Sequence, residues 1–136
     1  MKKYIIAIDQ GTTSTRCAVF DKQARLLAIR HKEHRQIMPH AGWVEHDALE
    51  IWNNVLDLIP ECLQEASASV NEIIAVGITN QRETSVVWDK TTGLPVYNAI
   101  VWQDTRTADF MAAFETTHGA ENLQKRLRQS RCRVCR

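Results

Sequence analysis

No apolar run in this 136-residue chain approaches the roughly 20 residues that a membrane-spanning helix needs. Lys2 and Lys3 precede an apolar stretch, but Asp9 interrupts it after Ile5–Ile8, too soon for the hydrophobic region of a secretory signal. The expectation is a cytoplasmic chain with no membrane partner. Cysteine is scarce. Cys17, Cys62, Cys132 and Cys135 do not form the disulfide framework of a small secreted protein. Cys17 and Cys62 lie in apolar surroundings and read as reduced core residues. Cys132 and Cys135 make a lone C-x-x-C without the second pair that structural zinc requires. His34, His40 and His46 match no metal template and read as surface loop residues. There is no internal repeat, no Gly/Ser linker and no P-loop, which needs G-x-x-x-x-G-K-[ST] before a helix.

What is present suits one modest domain. Hydrophobic residues make up 44% and charged residues 24%, ordinary for a globular chain. The net charge of +1 is unevenly spread. Residues 126–136 hold five Arg and no acid, so the other 125 residues carry 12 basic against 16 acidic groups, a net −4. The Arg-rich tail contains no aromatic residue and no nucleic-acid motif, and no nucleic-acid partner is expected.

The stretch Ile5–Asp21 organises the chain. Ile5–Ile8 and Cys17–Phe20 read as strands, and the intervening Asp-Gln-Gly-Thr-Thr-Ser-Thr as a tight turn. Gly11 allows positive φ or a close approach to its backbone. The hydroxyls and backbone N–H groups around it could line a concave anion site, with Asp9 at the end of the first strand. From composition alone, a plain hairpin turn is the commoner meaning of such a stretch.

A third strand, antiparallel to the second, is expected around Leu26–Ile29, with His31–Arg35 in a rim or loop. Asp47 is placed as the N-cap of a helix, with Glu50 three residues on. Leu49, Trp52, Val55, Leu56, Ile59 and Leu63 are spaced to share one face of it. Pro60 implies a kink or a stop near residues 56–60. Ile73–Thr79 reads as a strand covered on both faces. Thr84–Trp88, Leu94–Tyr97 and Ala99–Trp102 read as extended, with a turn at Asp89–Gly93. A second helix is expected at Ala108–Thr117, closed by Gly119, and a further helical turn or two at Ala120–Leu127. Helix plus strand layering implies an α/β fold.

Two strand ends are rich in polar groups: Asn80-Gln81-Arg82-Glu83 and Gln103-Asp104-Thr105-Arg106. Arg82 beside Glu83 offers donors and acceptors together, which suits a polyol. Trp102 could supply an apolar wall. From the residues alone, a surface ion pair and a core Trp is the slightly favoured reading.

Four stretches, residues 9–16 (DQGTTSTR), 42–47 (GWVEHD), 77–84 (GITNQRET) and 97–107 (YNAIVWQDTRT), together resemble the N-terminal part of glycerol kinases, in the FGGY family of carbohydrate kinases. The first is shared in looser form by the wider actin-like ATPase superfamily. The resemblance implies the first part of an actin-like (ribonuclease H-like) α/β ATPase domain. It would have a mixed sheet, an opening β-hairpin and flanking helices. It implies ATP and Mg²⁺ as cofactors and glycerol as substrate. Thr12, Thr13 and Ser14, with Gly11 in the turn, would hold the β/γ-phosphates, and Arg16 would lie near them. Asp9 would sit close to the Mg²⁺ and its waters. Arg82 and Glu83 would hydrogen-bond glycerol, and Trp102 would pack on its carbons. The reaction implied is transfer of the γ-phosphoryl group to a terminal hydroxyl, giving glycerol 3-phosphate.

Family members are several times longer. Their general base, further glycerol contacts and adenine pocket lie beyond the matching stretches, and Asp104 does not stand at the position of that base. The division expected is a partial kinase domain at 1–125 and a basic, non-family tail at 126–136, from a frameshift or a truncation. A chain of this extent is expected to lack kinase activity and to expose apolar sheet. The alternatives are a non-catalytic remnant, one half of a split enzyme completed by a separate C-terminal half, or another FGGY sugar kinase.

Overall fold

The computed structural model describes residues 3–119. The helical turn expected at Ala120–Leu127, the tail at 126–136 and the Cys132/Cys135 pair lie outside the described residues.

Three antiparallel strands open the chain: β1 (Tyr4–Gln10), β2 (Ser14–Phe20) and β3 (Leu26–Glu33). The β3 strand runs on through His31–Glu33, where a rim or loop was expected, because its ladder with β2 continues to Ser14 opposite Glu33. After β4 (Glu45–His46) comes helix α1 (Ala48–Glu65), then β5 (Ile73–Thr79), β6 (Ala99–Ile100) and α2 (Ala108–His118). The main sheet has the order β3-β2-β1-β5, and β4 pairs with β6 in a second, two-stranded sheet. β5 lies parallel to β1, so the sheet is mixed.

Asp47 caps α1. Its carboxylate accepts from the backbone N–H groups of Leu49 and Glu50, which have no partner inside the helix. Pro60 does not divide α1, which is continuous across it. Pro60 is exposed, so the carbonyl left without its bond lies on the solvent side, where water can satisfy it. The buried face differs from the one expected. It consists of Asn54, Leu58, Cys62 and Leu63, with Val55 and Ile59 beside them, whereas Leu49, Trp52 and Leu56 face outward. Apolar spacing specifies a stripe but not which of two neighbouring stripes meets the sheet.

The core lies between α1 and one face of the sheet. Ile6 and Ile8 of β1, Cys17 and Val19 of β2 and Ala28 of β3 meet Leu58, Cys62 and Leu63. Cys17 and Cys62 are buried free thiols, as expected. Burial pushes the Cys17 thiol up to about 12.

β5 departs from the expectation that both its faces are covered. Ile74, Val76 and Ile78 are exposed. Its β-branched run makes it a strand, but α1 packs over β2 and β3 and leaves β5 as a bare edge. The segment at 84–102 is also less regular than expected. Only Ser85 with Ile100 and Trp88 with Pro95 form bridges, and Pro95 has no N–H to extend a ladder. The Asp89–Gly93 turn forms as expected, with the Asp89 carboxylate accepting from the amides of Thr91 and Thr92.

Candidate functional site

Register decides which loops meet. β1 and β5 run parallel with Asp9 opposite Thr79, so both strands end at the same edge of the sheet. The turn after β1 and the loop after β5 therefore rise side by side. In open α/β sheets this edge, beyond the strand C-termini, is where ligands bind. A cleft of about 510 Å³ lies here, lined by Asp9, Gln10, Gly11 and Thr12 from the first turn, residues 80–83 from the second, and Trp102.

The first turn is tight. The Gly11 amide donates to the Ser14 carbonyl at 2.9 Å, and a Cβ on Gly11 would stand 3.2 Å from that oxygen. A side chain there would press on the hydrogen bond that closes the turn. Thr13 is exposed, while Ser14 and Thr15 are buried at its base. Arg16 and Asp9 form an ion pair at 3.0 Å across the β1/β2 ladder, both more than two-fifths exposed. Of the nine residues singled out from the sequence, Asp9, Gly11, Thr12, Arg82, Glu83 and Trp102 line the cleft. Thr13, Ser14 and Arg16 do not, although all three lie within or beside its first turn.

Glu83 has φ 61°, the left-handed region that residues with a Cβ rarely occupy. Such backbone strain concentrates at ligand sites. Next to it, Gln81 donates from Nε2 to Thr84 Oγ1 at 2.7 Å, and its Oε1 is buried without a partner. Trp102 donates from Nε1 to Thr12 Oγ1 at 3.1 Å, joining two segments ninety residues apart.

Behind the first turn stands a group whose role the sequence concealed. His34 and His46 are buried, not surface loop residues, and their rings meet edge to face at 4.5 Å. His40 alone of the three is exposed. His34 Nε2 lies 3.0 Å from the Thr12 carbonyl, and Gln36 Nε2 donates to the same oxygen at 3.1 Å. A carbonyl only accepts, so His34 carries its proton on Nε2. Gln36 Oε1 in turn accepts from His46 Nε2 at 2.8 Å. The other ring nitrogen of each, Nδ1, is buried without a hydrogen-bond partner among the described residues. Burial and the neighbouring His34 lower the His46 pKa to about 4, against a smaller opposing effect of Glu50. The irregular spacing of 34, 36 and 46 carried no signal for this group.

A second lattice fixes the segment that bears Trp102. Arg106 Nη2 donates to Glu45 Oε1 at 2.7 Å and to Asp104 Oδ2 at 2.8 Å, and its guanidinium lies 3.8 Å over the Trp43 ring. Tyr97 and Asn98 also donate to the Glu45 carboxylate, and the Val44 amide to Asp104. The Asn98 hydrogen bond first, then Arg106 and Tyr97, hold Glu45 below the usual carboxylate range. The Arg106 guanidinium and the amides of Arg106 and Val44 bring Asp104 down to about 2. Asp104 is thus a structural carboxylate. Gly42 belongs to the same joint. It has φ 77°, an added Cβ would collide with Thr105 Oγ1, and its carbonyl accepts from the Thr105 amide and hydroxyl.

The model of the FGGY family of carbohydrate kinases, N-terminal domain, matches residues 4–133. The chain is 55% identical over 127 residues to a glycerol kinase of Pseudarthrobacter chlorophenolicus, covering 93% of this chain and 25% of that one. It is 62% identical over 107 residues to a glycerol kinase of Saccharopolyspora erythraea, covering 79% and 21%. Among solved structures, it is similar to Plasmodium falciparum glycerol kinase crystallised with ADP. The TM-score is 0.81, the identity 36%, and the match covers 90% of this chain and 24% of that one. A xylulose kinase from Lactobacillus acidophilus, at 24% identity and a TM-score of 0.79, shares the fold over 90% of this chain and 24% of its own. The chain spans about a quarter of the length of the curated relatives it matches.

Proposed function

Because the chain belongs to the FGGY family of carbohydrate kinases, we propose that it carries the phosphate hairpin and part of the polyol site of an ATP:glycerol phosphotransferase. The observation that carries this reading is the single cleft in which Asp9, Gly11 and Thr12 face Arg82, Glu83 and Trp102. Thr12, with Thr13 and Ser14 of the same turn, would hold the β/γ-phosphates through backbone N–H groups and hydroxyls. Arg16, already paired with Asp9, adds positive charge beside them. Asp9 offers a partly exposed carboxylate next to these donors, a set that suits Mg²⁺ held through water. When bound there, Mg²⁺ would neutralise charge on the phosphates. Arg82 and Glu83 would orient the hydroxyls of glycerol, and Trp102 would cover its carbons. Gln81 Oε1, buried without a partner, is suited to accept from a further hydroxyl.

In the reaction of the whole enzyme, a terminal hydroxyl oxygen of glycerol bonds to the γ-phosphorus as its bond to the β-bridging oxygen breaks. ADP leaves, and the hydroxyl proton passes to a general base. The residues of this chain supply positioning and charge. The base and the adenine pocket are supplied by sequence beyond the four matching stretches.

Calorimetry tests the ligand set. Magnesium β,γ-methylene-ATP and glycerol are each expected to bind the 136-residue chain weakly, with glycerol binding lost in Glu83→Ala. Absence of both signals would sink the assignment. In a coupled assay no glycerol-dependent ADP release is expected, and release above the Glu83→Ala level would show the chain to be active as it stands. The bare β5 edge favours a second reading, that a separate polypeptide completes the enzyme. Activity appearing on addition of the remaining three quarters of a relative would support it.

A further inference from the structure

We propose that Thr12 couples the two ligands of this cleft, so that a polyol against Trp102 and an anion on the first turn tighten each other's binding. This rests on the ligand set proposed above and adds to it a positioning device.

Thr12 is where three donors from two distant parts of the chain converge. Its carbonyl accepts from His34 and Gln36, and its hydroxyl accepts from the Trp102 indole. The first two hold its backbone from behind, and His46 fixes Gln36 in turn. Trp102 is itself anchored, since its backbone N–H donates to Thr84 Oγ1 at 3.4 Å, the oxygen to which Gln81 also donates. Thr12 therefore cannot follow one ligand without disturbing the contact to the other.

A hydroxyl has one hydrogen and two lone pairs. The indole N–H occupies a lone pair of Thr12 Oγ1, which leaves the hydroxyl hydrogen to donate. Among the described residues no acceptor takes it, and Thr12 lines the cleft. An anion there would complete a chain from Trp102 N–H through the Thr12 hydroxyl to the anionic oxygen. Successive hydrogen bonds in such a chain polarise and strengthen one another. A polyol lying on the Trp102 ring would shield the chain from water and hold the indole in place. The effect is reciprocal by linkage, because whatever one ligand does to the affinity of the other is returned by the same factor.

The test is titration calorimetry of the full chain with magnesium β,γ-methylene-ATP, with and without saturating glycerol. The wild-type chain is expected to bind the nucleotide about 5-fold more tightly with glycerol present, the lower end of ordinary coupling. Trp102→Phe keeps the ring and removes the N–H, and Thr12→Val keeps the shape and removes the hydroxyl. In both, the ratio of the two dissociation constants is expected to fall to about 1. Thr12→Ser restores the hydroxyl and should restore the ratio, which a merely structural role for Thr12 would not require. Thermal unfolding of each variant checks its fold. A wild-type ratio of 1 with both ligands bound, or an undiminished ratio in folded Trp102→Phe or Thr12→Val, overturns the coupling and leaves the proposed ligands standing. If neither ligand binds the wild-type chain, the coupling and the ligand assignment fall together.

Discussion

Residues 4–66 and residues 80–106 are held in place by different physics. The first region has an apolar core, in which Ile6, Ile8, Cys17, Val19 and Ala28 of the sheet meet Leu58, Cys62 and Leu63 of α1. The second has little core of its own. Ala99 and Val101 are buried, but Val86, Val87, Trp88, Leu94, Val96 and Tyr97 are exposed. It is joined to the first region by the β4/β6 pair, by the Trp102–Thr12 hydrogen bond and by the lattice of Glu45, Asp104, Arg106 and Trp43. A packed core relaxes partly around a lost methyl group. An ionic lattice cannot do so, because removing one member leaves its partners charged and buried. The cleft needs both regions, since its first turn belongs to one and Trp102 to the other.

The largest effect is expected where the lattice is broken at its centre. Arg106→Ala would leave Glu45, only 1% exposed, and Asp104 without their cation. The expected cost is about 3–5 kcal/mol, concentrated in the second region. Hydrogen exchange should show the amides of Ile100 and Val101 losing protection before those of β1 and β2. Uniform loss across both regions would end the distinction drawn between them.

Leu58→Ala is the matching cut in the apolar core. Leu58 is buried at the centre of the cluster, and the cavity should cost about 3 kcal/mol, read from urea unfolding. Here protection should fall in β1, β2 and α1 together.

Acid should separate the regions in sequence. Unfolded His46 takes a proton near 6.5, but folded His46 only near about 4. Its contribution to stability is therefore complete above pH 6.5 and is lost as pH falls through that window. Asp104 works lower, because its contribution is intact above 3.8 and is lost as pH falls toward about 2. A urea midpoint that declines in two stages on acidification is expected. Trp43 fluorescence should follow the lower stage through its contact with Arg106, and His46→Gln should remove the upper one. A single decline below pH 4 would contradict the account of the buried His pair.

The smallest change in stability is expected on the bare edge. Ile78 is 73% exposed, and Ile78→Lys should alter stability by under about 0.5 kcal/mol. It should nonetheless reduce self-association measured by light scattering, because a charge on an open apolar strand blocks edge-to-edge pairing.

Much of the local architecture was legible from the sequence. The alternation and β-branching of Ile5–Ile8, Cys17–Phe20 and Ile73–Thr79 identified strands, and Asp47 identified the start of α1. Of the nine residues lining the cleft, five of those singled out lie at the ends of β1 and β5, and Trp102 from the other strand end is the sixth. What could not be read were relations between distant residues. Pro60 argued for a kink or a stop, and the stop did not occur, since its cost falls on an exposed side of α1. His34 and His46 looked like loop residues because what holds them is not local: His34 bonds Thr12, twenty-two positions away, and His46 bonds Gln36, which reaches the same Thr12 carbonyl. The Glu45–Arg106 pair spans sixty-one positions and leaves no periodic mark.

Periodicity, capping and turn chemistry are short-range properties, and they determined which segments became strands and helices and which residue types crowded their ends. Burial and partner choice depend on which elements pack, and that was decided only in three dimensions. The β1/β5 register brought two polar turns together as one cleft. The position of α1 over β2 and β3 closed one part of the sheet and left β5 bare. The convergence of His34, Gln36 and Trp102 on Thr12 tied the first turn to segments twenty-two to ninety positions away.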